Sequence, residues 1–203
     1  MYEALLKATP EYQKIAASFA KPGPAALFGL PPAGRALLYA ALQKDLGRVL
    51  CIVTPGEAEA TRFAADLNTL GIPAAVFPAR DYVLRPIEGT AREYEYRRLA
   101  VLGELVGGRL RAVAVPAEAL TQFTTPKEDF CANTRTLHAG DTLLRDDLLA
   151  ALFGAGYTRR AQVDGPGQFS VRGDIVDVFA VNGENPYRIE FFDDEIDTDR
   201  KSV

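Results

Sequence analysis

The sequence predicts an α/β fold followed by a second, smaller domain. Up to residue 115, apolar segments of strand length alternate with helical runs, a pattern typical of a parallel sheet with helices on both faces. After Pro116, short β-rich segments follow one another between turns rich in Gly, Asn and Pro, which indicates antiparallel pairing. We therefore expect a doubly wound α/β domain over residues 1–115 and a small antiparallel α+β domain over residues 116–203.

Composition places the chain among globular proteins. It has 203 residues, of which 48% are hydrophobic and 25% charged. No apolar stretch approaches the ~20 residues that cross a bilayer, and the amino-terminal residues do not have the pattern of a signal peptide. We expect a cytoplasmic protein in which Cys51 and Cys131 are reduced and Cys51 is buried. The net charge of −4 disfavours a nucleic-acid-binding surface as the main feature.

The first half opens with a helix and continues as alternating strands and helices. A helix over residues 1–19 is separated by a Pro-Gly-Pro break from an apolar strand at residues 25–30. Two later helices end at Gly47 and Gly71, a usual position for a glycine C-cap. The run 49–53 is continuously apolar, which predicts a strand buried on both faces. The remaining predicted helices are 35–46, 54–70 and 91–106, and the remaining predicted strands are 74–77 and 110–115.

The second half contains fewer helical patterns and more strand patterns. A short helix at 116–123 and a strand at 134–138 precede a helix that ends near Gly154 and Gly156. From Tyr157 onward the signals are those of strands and turns. The predicted strands there are 168–172, 175–179 and 187–192.

A glycine pair between the first strand and the next helix has the spacing of a phosphate-binding loop. Gly29 and Gly34 match G-x-x-x-x-G-K-[ST], but Arg35 replaces the Lys that reaches the phosphates and Ala36 lacks the hydroxyl that holds Mg²⁺. Two prolines inside the loop remove N–H groups that would cradle a phosphate. The alternative interpretation is a Pro-Gly turn that caps a helix. In both cases we expect no bound nucleotide and no ATPase activity in this chain.

Other candidates for chemistry are weak. His138 is the only histidine and lies far from both cysteines, which favours a surface side chain over a catalytic one. No Cys/His cluster has the spacing of a zinc site. The acidic run 193–197 lacks the glycine and spacing of a calcium loop, so a hairpin tip in solvent is favoured. We therefore predict no catalytic residue and no metal ligand.

A set of arginines is the better candidate for binding. Arg159 opens one predicted strand and Arg172 ends another. If the two strands pair through the turn at 164–167, the two arginines lie near each other on the sheet. Arginine is favoured for bidentate contacts with carboxylates at interfaces. Pairing within the chain, with Asp174 or Glu190, is the alternative that the sequence leaves open.

Two runs carry a specific resemblance to a known family. They are R-G-D-I-V-D-V-F, which ends at Phe179, and R-I-E-F-F-D-D-E-I-D, which ends at Asp197. These runs resemble the module shared by the excision-repair protein UvrB and the bacterial transcription-repair coupling factors. The resemblance extends from Ala25 to the end of the chain and is weaker at 76–82 and 92–98. In both families the module follows an α/β segment with a P-loop type of sheet, and the same order is found here.

Two departures favour the coupling factors over UvrB. UvrB has an intact phosphate loop and a long tyrosine-rich hairpin that clamps DNA, whereas here only residues 81–92 lie at the corresponding place. The coupling factors have a degenerate amino-terminal copy of this architecture, with the motor further along the chain. The sequence therefore resembles the amino-terminal UvrB-like region of a coupling factor, and its last residues are expected to begin a return segment to the first domain.

The resemblance implies a non-catalytic module that recruits the damage sensor UvrA in transcription-coupled excision repair. Arg159, Arg172 and, less directly, Phe179 match positions at which such modules contact UvrA, while Ser170 stands where UvrB commonly has another arginine. RNA polymerase and double-stranded DNA are implied as partners of other regions of the parent protein, a translocase whose motor domain uses ATP and Mg²⁺. The alternatives are a UvrB-type ATP-dependent helicase subunit that binds damaged DNA, and a fragment that binds DNA directly.

Overall fold

The computed structural model describes residues 2–80, 93–183 and 185–201. They form two compact units: unit 1 comprises residues 2–80 and 104–122, and unit 2 comprises residues 93–103, 123–183 and 185–201. Unit 1 contains a parallel sheet of three described strands, and unit 2 contains a mixed sheet of five described strands. The predicted α/β fold with a small second domain is confirmed. The hairpin comparison at 81–92 lies outside the described residues.

Unit 1 is built on a parallel sheet in which the last strand is central. The central strand pairs in parallel with both others, and all five of its residues are buried. Its elements are α1 (Tyr2–Lys7), α2 (Pro10–Phe19), α3 (Pro32–Leu46), β1 (Leu50–Thr54), α4 (Glu57–Thr69), β2 (Ala74–Val76), the end of α5 (Glu93–Val106), β3 (Ala112–Pro116) and α6 (Ala117–Leu120).

Helix α4 packs on this sheet through small side chains. Ala60 and Ala64 are buried against Ala114 of β3, and small residues allow the helix and the strand to approach closely. Further along the helix, Leu67 is fully buried in a cluster with Ile52 of β1. The helical period of the apolar positions of α4 therefore sets which side of the sheet it covers.

The amino-terminal helix of the prediction is two helices. Helix α1 ends at Lys7, and α2 begins at Pro10, which suits the first position of a helix because its missing N–H needs no partner there. The Thr9 side chain accepts a hydrogen bond from the Tyr12 N–H at 3.2 Å and so caps α2. The prediction of one continuous helix over 1–19 was wrong because the Thr-Pro pair is a start signal inside the run.

The predicted strand at 25–30 is also wrong. These residues form irregular chain outside the described sheet, with Phe28 91% exposed. Helix α3 begins at Pro32, three residues before the predicted start, since proline is favoured in a first turn. An apolar run of this length does not form a strand unless a neighbouring strand accepts its hydrogen bonds.

Cys51 is exposed, contrary to the expectation that it is buried. Burial alternates along β1, with Ile52 and Thr54 buried and Val53 54% exposed. The strand pairs with β3 along one edge and is covered on one face, so the opposite face stays open within the described residues. A run of apolar residues therefore did not mean burial on both faces.

Unit 2 is built on a five-stranded sheet in chain order. All neighbours are antiparallel except the first pair, which is parallel, so the predicted fully antiparallel domain is corrected to a mixed sheet. The predicted strand at 134–138 is irregular chain that follows a helix, α7, which the sequence pattern did not indicate. Besides the first part of α5, the elements are α7 (Lys127–Ala132), α8 (Arg145–Gly154), β4 (Thr158–Arg159), β5 (Gln168–Arg172), β6 (Ile175–Phe179), β7 (Tyr187–Phe192) and β8 (Glu195–Lys201).

The core of unit 2 lies between α8 and one face of this sheet. Phe169 of β5 is fully buried, and Phe153 of α8 meets it edge to face with ring centroids 5.0 Å apart. Every strand from β5 to β8 contributes to the same cluster. Its buried members are Leu148, Leu152, Phe169, Val176, Val178, Ile189, Phe191 and Ile196.

Candidate protein-interaction surface

One face of the sheet in unit 2 is turned away from the core. Along β5 and β6 the core positions 169, 171, 176 and 178 alternate with positions whose side chains point to the other side. We call this other side the outer face. It carries arginines, carboxylates and two aromatic rings. Its residues on β5, β6 and β7 are Gln168, Ser170, Arg172, Ile175, Asp177, Phe179, Arg188, Glu190 and Phe192.

Arg172 lies exposed at the end of β5, where a tight turn leads into β6. Gly173 occupies the turn with φ of +62°, a conformation that glycine adopts without strain. From α8, Arg145 Nη1 donates to the Gly173 carbonyl at 2.9 Å and to Asp174 Oδ1 at 3.2 Å. The turn next to Arg172 is therefore anchored to helix α8 by these two hydrogen bonds.

Arg172 has a hydrogen-bond partner within the chain, but this partner is a backbone carbonyl and not a carboxylate. Arg172 Nη2 donates to the Ala161 carbonyl at 3.3 Å, and Asp174 is paired with Arg145 instead. Among the described residues, no carboxylate lies within salt-bridge distance of Arg172. The guanidinium is thus oriented by a neutral acceptor. Its charge is not neutralised by a carboxylate among the described residues and can pair with an acidic group of a partner.

Phe179 lies on the outer face and not in the core. It pairs with Gln168 across β5 and β6, and the core position beside it is Val178. The side chain is half-buried, so part of the ring is accessible to solvent. The sequence left its place open between core and surface, and the period-2 alternation of β6 resolves that question.

Arg159 is exposed at the sheet edge, but not in the predicted arrangement. Strand β4 runs parallel to β5 and pairs Arg159 with Phe169, so no hairpin joins the two arginines. Residues paired in this way point to the same side of a sheet, which places Arg159 on the side opposite Arg172 and Phe179. The alternation places the next residue, exposed Arg160, on the outer side of this edge. Both arginines open the predicted strand, but the sequence motif pointed to Arg159 as the contact and not to Arg160.

A charge pair occupies the middle of the outer face. Arg188 Nε and Nη2 donate to the two carboxylate oxygens of Asp177 at 2.7 and 3.1 Å, and the hydrogen bond with Asp177 raises the pKa of Arg188. Ser170 is only 2% exposed, with its Oγ 3.5 Å from Asp177 Oδ2, and adds no cation here. Arg172 therefore differs from Arg188 in having no carboxylate beside it among the described residues.

The second half of the loop at Gly29–Ala36 forms the first turn of helix α3. Since α3 begins at Pro32, Gly34 and Arg35 lie in its first turn, and the Arg35 N–H donates to the Pro31 carbonyl at 3.0 Å. The Arg35 side chain folds back, with Nε 3.2 Å from the Leu30 carbonyl. Ala36 is buried, with 1% exposure. Proline thus removes two of the N–H groups that would cradle a phosphate, and the Arg35 N–H is used within the helix.

The remaining candidates are surface features. The His138 side chain is 72% exposed, with Nδ1 3.5 Å from Asp141 Oδ2. The acidic run forms a hairpin tip between β7 and β8, with Asp193 at φ of +60°. In the described part of the chain, no group of three or more His, Cys, Asp or Glu side chains is arranged to hold a metal ion. None of the described helices combines the length and apolar character of a membrane span.

Comparison with known proteins identifies unit 2 most clearly. Residues 136–201 match the family model described as the UvrB interaction domain. The matched segment contains α8 and all five described strands of unit 2, and therefore the whole outer face.

The chain is also similar to curated proteins over most of its length. It is 30% identical over 176 residues to the transcription-repair-coupling factor of Bacillus subtilis (strain 168), a match that covers 86% of this chain. It is 29% identical over 174 residues to the protein of the same name from Staphylococcus aureus (strain USA300), covering 85% of this chain. In each case the chain spans about 15% of the length of the relative. The resemblance predicted from the sequence motifs is confirmed.

Proposed function

We propose that this chain, homologous over most of its length to transcription-repair-coupling factors, is a non-catalytic module that recruits UvrA in transcription-coupled excision repair. The observation that carries the proposal is the outer face of a matched UvrB interaction domain, with Arg172 exposed and without a carboxylate partner among the described residues. An oriented cation, Arg172, at one end of the β5–β6 pair and a half-buried aromatic ring, Phe179, at the other end of the same face suit an interface that meets an acidic surface.

The arrangement of the outer face supports a protein partner rather than a reaction. Phe179 supplies apolar area, and Arg172 supplies a charge whose direction is fixed by the Ala161 carbonyl. Interfaces commonly depend on a few aromatic and arginine side chains of this kind. Arg160, exposed on the outer side of the adjoining edge, extends the positive charge, whereas Arg159 lies on the opposite side of the sheet.

A titration with purified UvrA tests the proposal. Replacing Arg172 with Ala removes the guanidinium without touching the core, and we expect the affinity to fall more than ~tenfold, because an arginine buried at an interface is commonly worth ~2 kcal/mol. The matched control is Arg62→Ala, since Arg62 lies on α4 of unit 1 and its side chain is 75% exposed. An Arg172→Ala variant that folds and binds UvrA as tightly as the control would overturn the role of Arg172.

The parent protein is part of the same proposal. We propose that it is an ATP-dependent DNA translocase that displaces stalled RNA polymerase, with ATP and Mg²⁺ bound in a motor domain outside this chain. In this view the loop at Gly29–Ala36 is structural, which is supported by its two prolines and by the use of the Arg35 N–H inside α3. We place the protein in the cytoplasm, where nucleotide excision repair of bacteria takes place.

A further inference from the structure

The first part of helix α5 belongs to the same compact unit as the outer face, although it precedes the segment matched by the family model. Arg98 is 3% exposed, and its Nη2 donates to Thr124 Oγ1 at 2.8 Å. A Cβ built at Gly103 would lie 3.6 Å from Asn182 Nδ2, so the helix backbone runs close to the β6–β7 loop. These contacts hold α5 against the rest of unit 2.

Tyr96, on the same helix, packs onto the backbone of Gly167. A Cβ built at Gly167 would lie 2.8 Å from Tyr96 Cζ, closer than real side chains approach, so only glycine fits beneath the ring. Gly167 also has φ of +76°, which favours glycine independently. The ring therefore covers the last residue of the turn that leads into β5.

Gly167 connects the two strands on either side of β5. Its carbonyl accepts a hydrogen bond from the Thr158 N–H of β4 at 2.9 Å, and its own N–H donates to the Phe179 carbonyl of β6 at 2.9 Å. Thr158 directly precedes Arg159, and Phe179 is an aromatic residue of the outer face. A displacement of Gly167 would thus be transmitted to both flanking strands through two backbone hydrogen bonds.

We propose that Tyr96 is a positioning residue for the interaction surface: its ring fixes Gly167, and Gly167 fixes the β4 edge and the end of β6. The inference rests on the proposed function for its partner, UvrA, but its geometry stands apart from it. The interaction domain of this protein accordingly includes the first part of α5 as well as the matched residues 136–201.

Hydrogen exchange and UvrA titration of two tyrosine variants test the proposal. In Tyr96→Ala we expect the Thr158 and Gly167 amides to exchange at least ~tenfold faster, because local opening is no longer opposed by the ring. UvrA affinity should fall by roughly threefold to tenfold, through the displaced contacts. Tyr94→Ala is the matched control, because it makes the same change two residues earlier on the same helix, where the ring lies under Arg97 instead. It should leave both readouts unchanged.

A double-mutant cycle excludes a purely structural effect. Gly167→Ala adds a methyl group beneath the Tyr96 ring and also strains the backbone at φ of +76°. The backbone strain is common to both Tyr96 backgrounds, so the cycle isolates the ring contact, and the combined effect of Tyr96→Ala and Gly167→Ala on UvrA affinity should be smaller than the sum of the two. If Tyr96→Ala proves too unstable to study, Tyr96→Leu removes the ring while keeping apolar bulk, and the Thr158 amide reports the lost contact. Additive effects, or normal exchange at Thr158 in both single variants, would overturn the positioning role.

The two proposals fail in different ways. If UvrA does not bind the unmodified chain, the proposed function is wrong, while the exchange rates of Thr158 and Gly167 still decide the role of Tyr96. If UvrA binds and Arg172→Ala abolishes the interaction, but both tyrosine variants bind and exchange alike, the function stands and the positioning role is wrong.

Discussion

The two arginines predicted as partner contacts differ in what surrounds their charge. Arg172 rests on a backbone carbonyl and lies on the same face as Phe179, whereas Arg159 sits at an edge whose register turns it to the other side. Arg188 is nearer the centre of the outer face, but its charge is shared with Asp177 in a bidentate pair. The side of the sheet on which an arginine lies, and whether a carboxylate of the chain pairs with it, together decide which guanidinium a partner protein can contact.

Two phenylalanines on neighbouring strands allow effects on partner binding and effects on stability to be measured separately. Phe179 is on the outer face, and Phe169 is fully buried beneath it in the sheet. We expect Phe179→Ala to weaken UvrA binding about tenfold while lowering the free energy of unfolding by less than ~1.5 kcal/mol.

The matched variant Phe169→Ala should lower the free energy of unfolding of unit 2 by ~3–5 kcal/mol, because it leaves a cavity in the core. Urea denaturation and UvrA titration of both variants measure the two effects. A Phe179→Ala variant as unstable as Phe169→Ala would assign Phe179 to the core and remove it from the interface.

At the scale of elements, α1 and α2 are tied to α3 by a small network of charges. Asp45 of α3 pairs with Lys7 and accepts a hydrogen bond from Tyr12 Oη at 2.6 Å, while Glu3 pairs with Lys44 at 2.7 Å. The hydrogen bond from Lys7 holds the pKa of Asp45 below its ordinary 3.8, and that from Lys44 holds the pKa of Glu3 below its ordinary 4.5. The apolar contact of Tyr12 with Leu38 lies beneath this network.

Acid should loosen these two helices before it unfolds the core. A carboxyl whose pKa is lowered on folding contributes stability above its unfolded pKa, and that contribution is lost as the pH falls through its folded pKa. We therefore expect no change in the exchange rates of α2 amides between about pH 7 and pH 5, after allowance for intrinsic exchange, and faster exchange below the ordinary values. Each pair is partly exposed, so the effect should be modest.

The variant Asp45→Asn should show the faster exchange already at neutral pH and a smaller further change in acid. Glu11→Gln, a change of the same kind on the exposed side of α2, is the control. Equal acid sensitivity in the unmodified chain and in Asp45→Asn would contradict the role of the network.

The elements that the sequence predicted correctly are those whose local signals agree with the final packing. Helix α4 has apolar residues at helical spacing, and β6 lies in a run bounded by Gly173 and by a turn. The errors at 25–30 and 134–138 arose where an apolar or β-prone run has no neighbouring strand to pair with, which composition does not reveal.

The candidate site was predictable in part for a similar reason. The motifs located Arg172 and Phe179, but the parallel pairing of β4 depends on contacts distant in sequence, and so does the packing of Tyr96 on Gly167. No periodicity in the sequence signals either one. Both features become visible only in the structure, where the strand pairing and the packing of helix α5 are known.

At the scale of the whole molecule, one unit carries a matched interaction domain and the other carries an altered phosphate loop. Pro31 and Pro32 donate no N–H, Arg35 bonds back to the loop through both its backbone and its side chain, and Ala36 faces the interior. A loop of this kind lacks the lysine and the hydroxyl that neutralise a triphosphate and bind its metal ion.

Calorimetry with ATP and Mg²⁺ tests this view of unit 1. We expect no heat of binding at about millimolar nucleotide, because both the cation that contacts the phosphates and the metal ligand are replaced. The double variant Arg35→Lys with Ala36→Ser introduces the lysine and the hydroxyl of a phosphate-binding loop. Its affinity for ATP should remain weak, because the two prolines of the loop still donate no N–H. Micromolar binding by the unmodified chain would favour the alternative of a UvrB-type ATP-dependent subunit.

The open face of β1 has a practical consequence. Cys51 in unit 1 and Cys131 on α7 in unit 2 are both exposed, and they are the two cysteines of the sequence. The protein therefore carries one native attachment point for a maleimide dye on each unit. Energy transfer between a donor and an acceptor placed there would measure the distance between the units with and without UvrA, the partner proposed above, and Cys51→Ser or Cys131→Ser supplies the singly labelled reference.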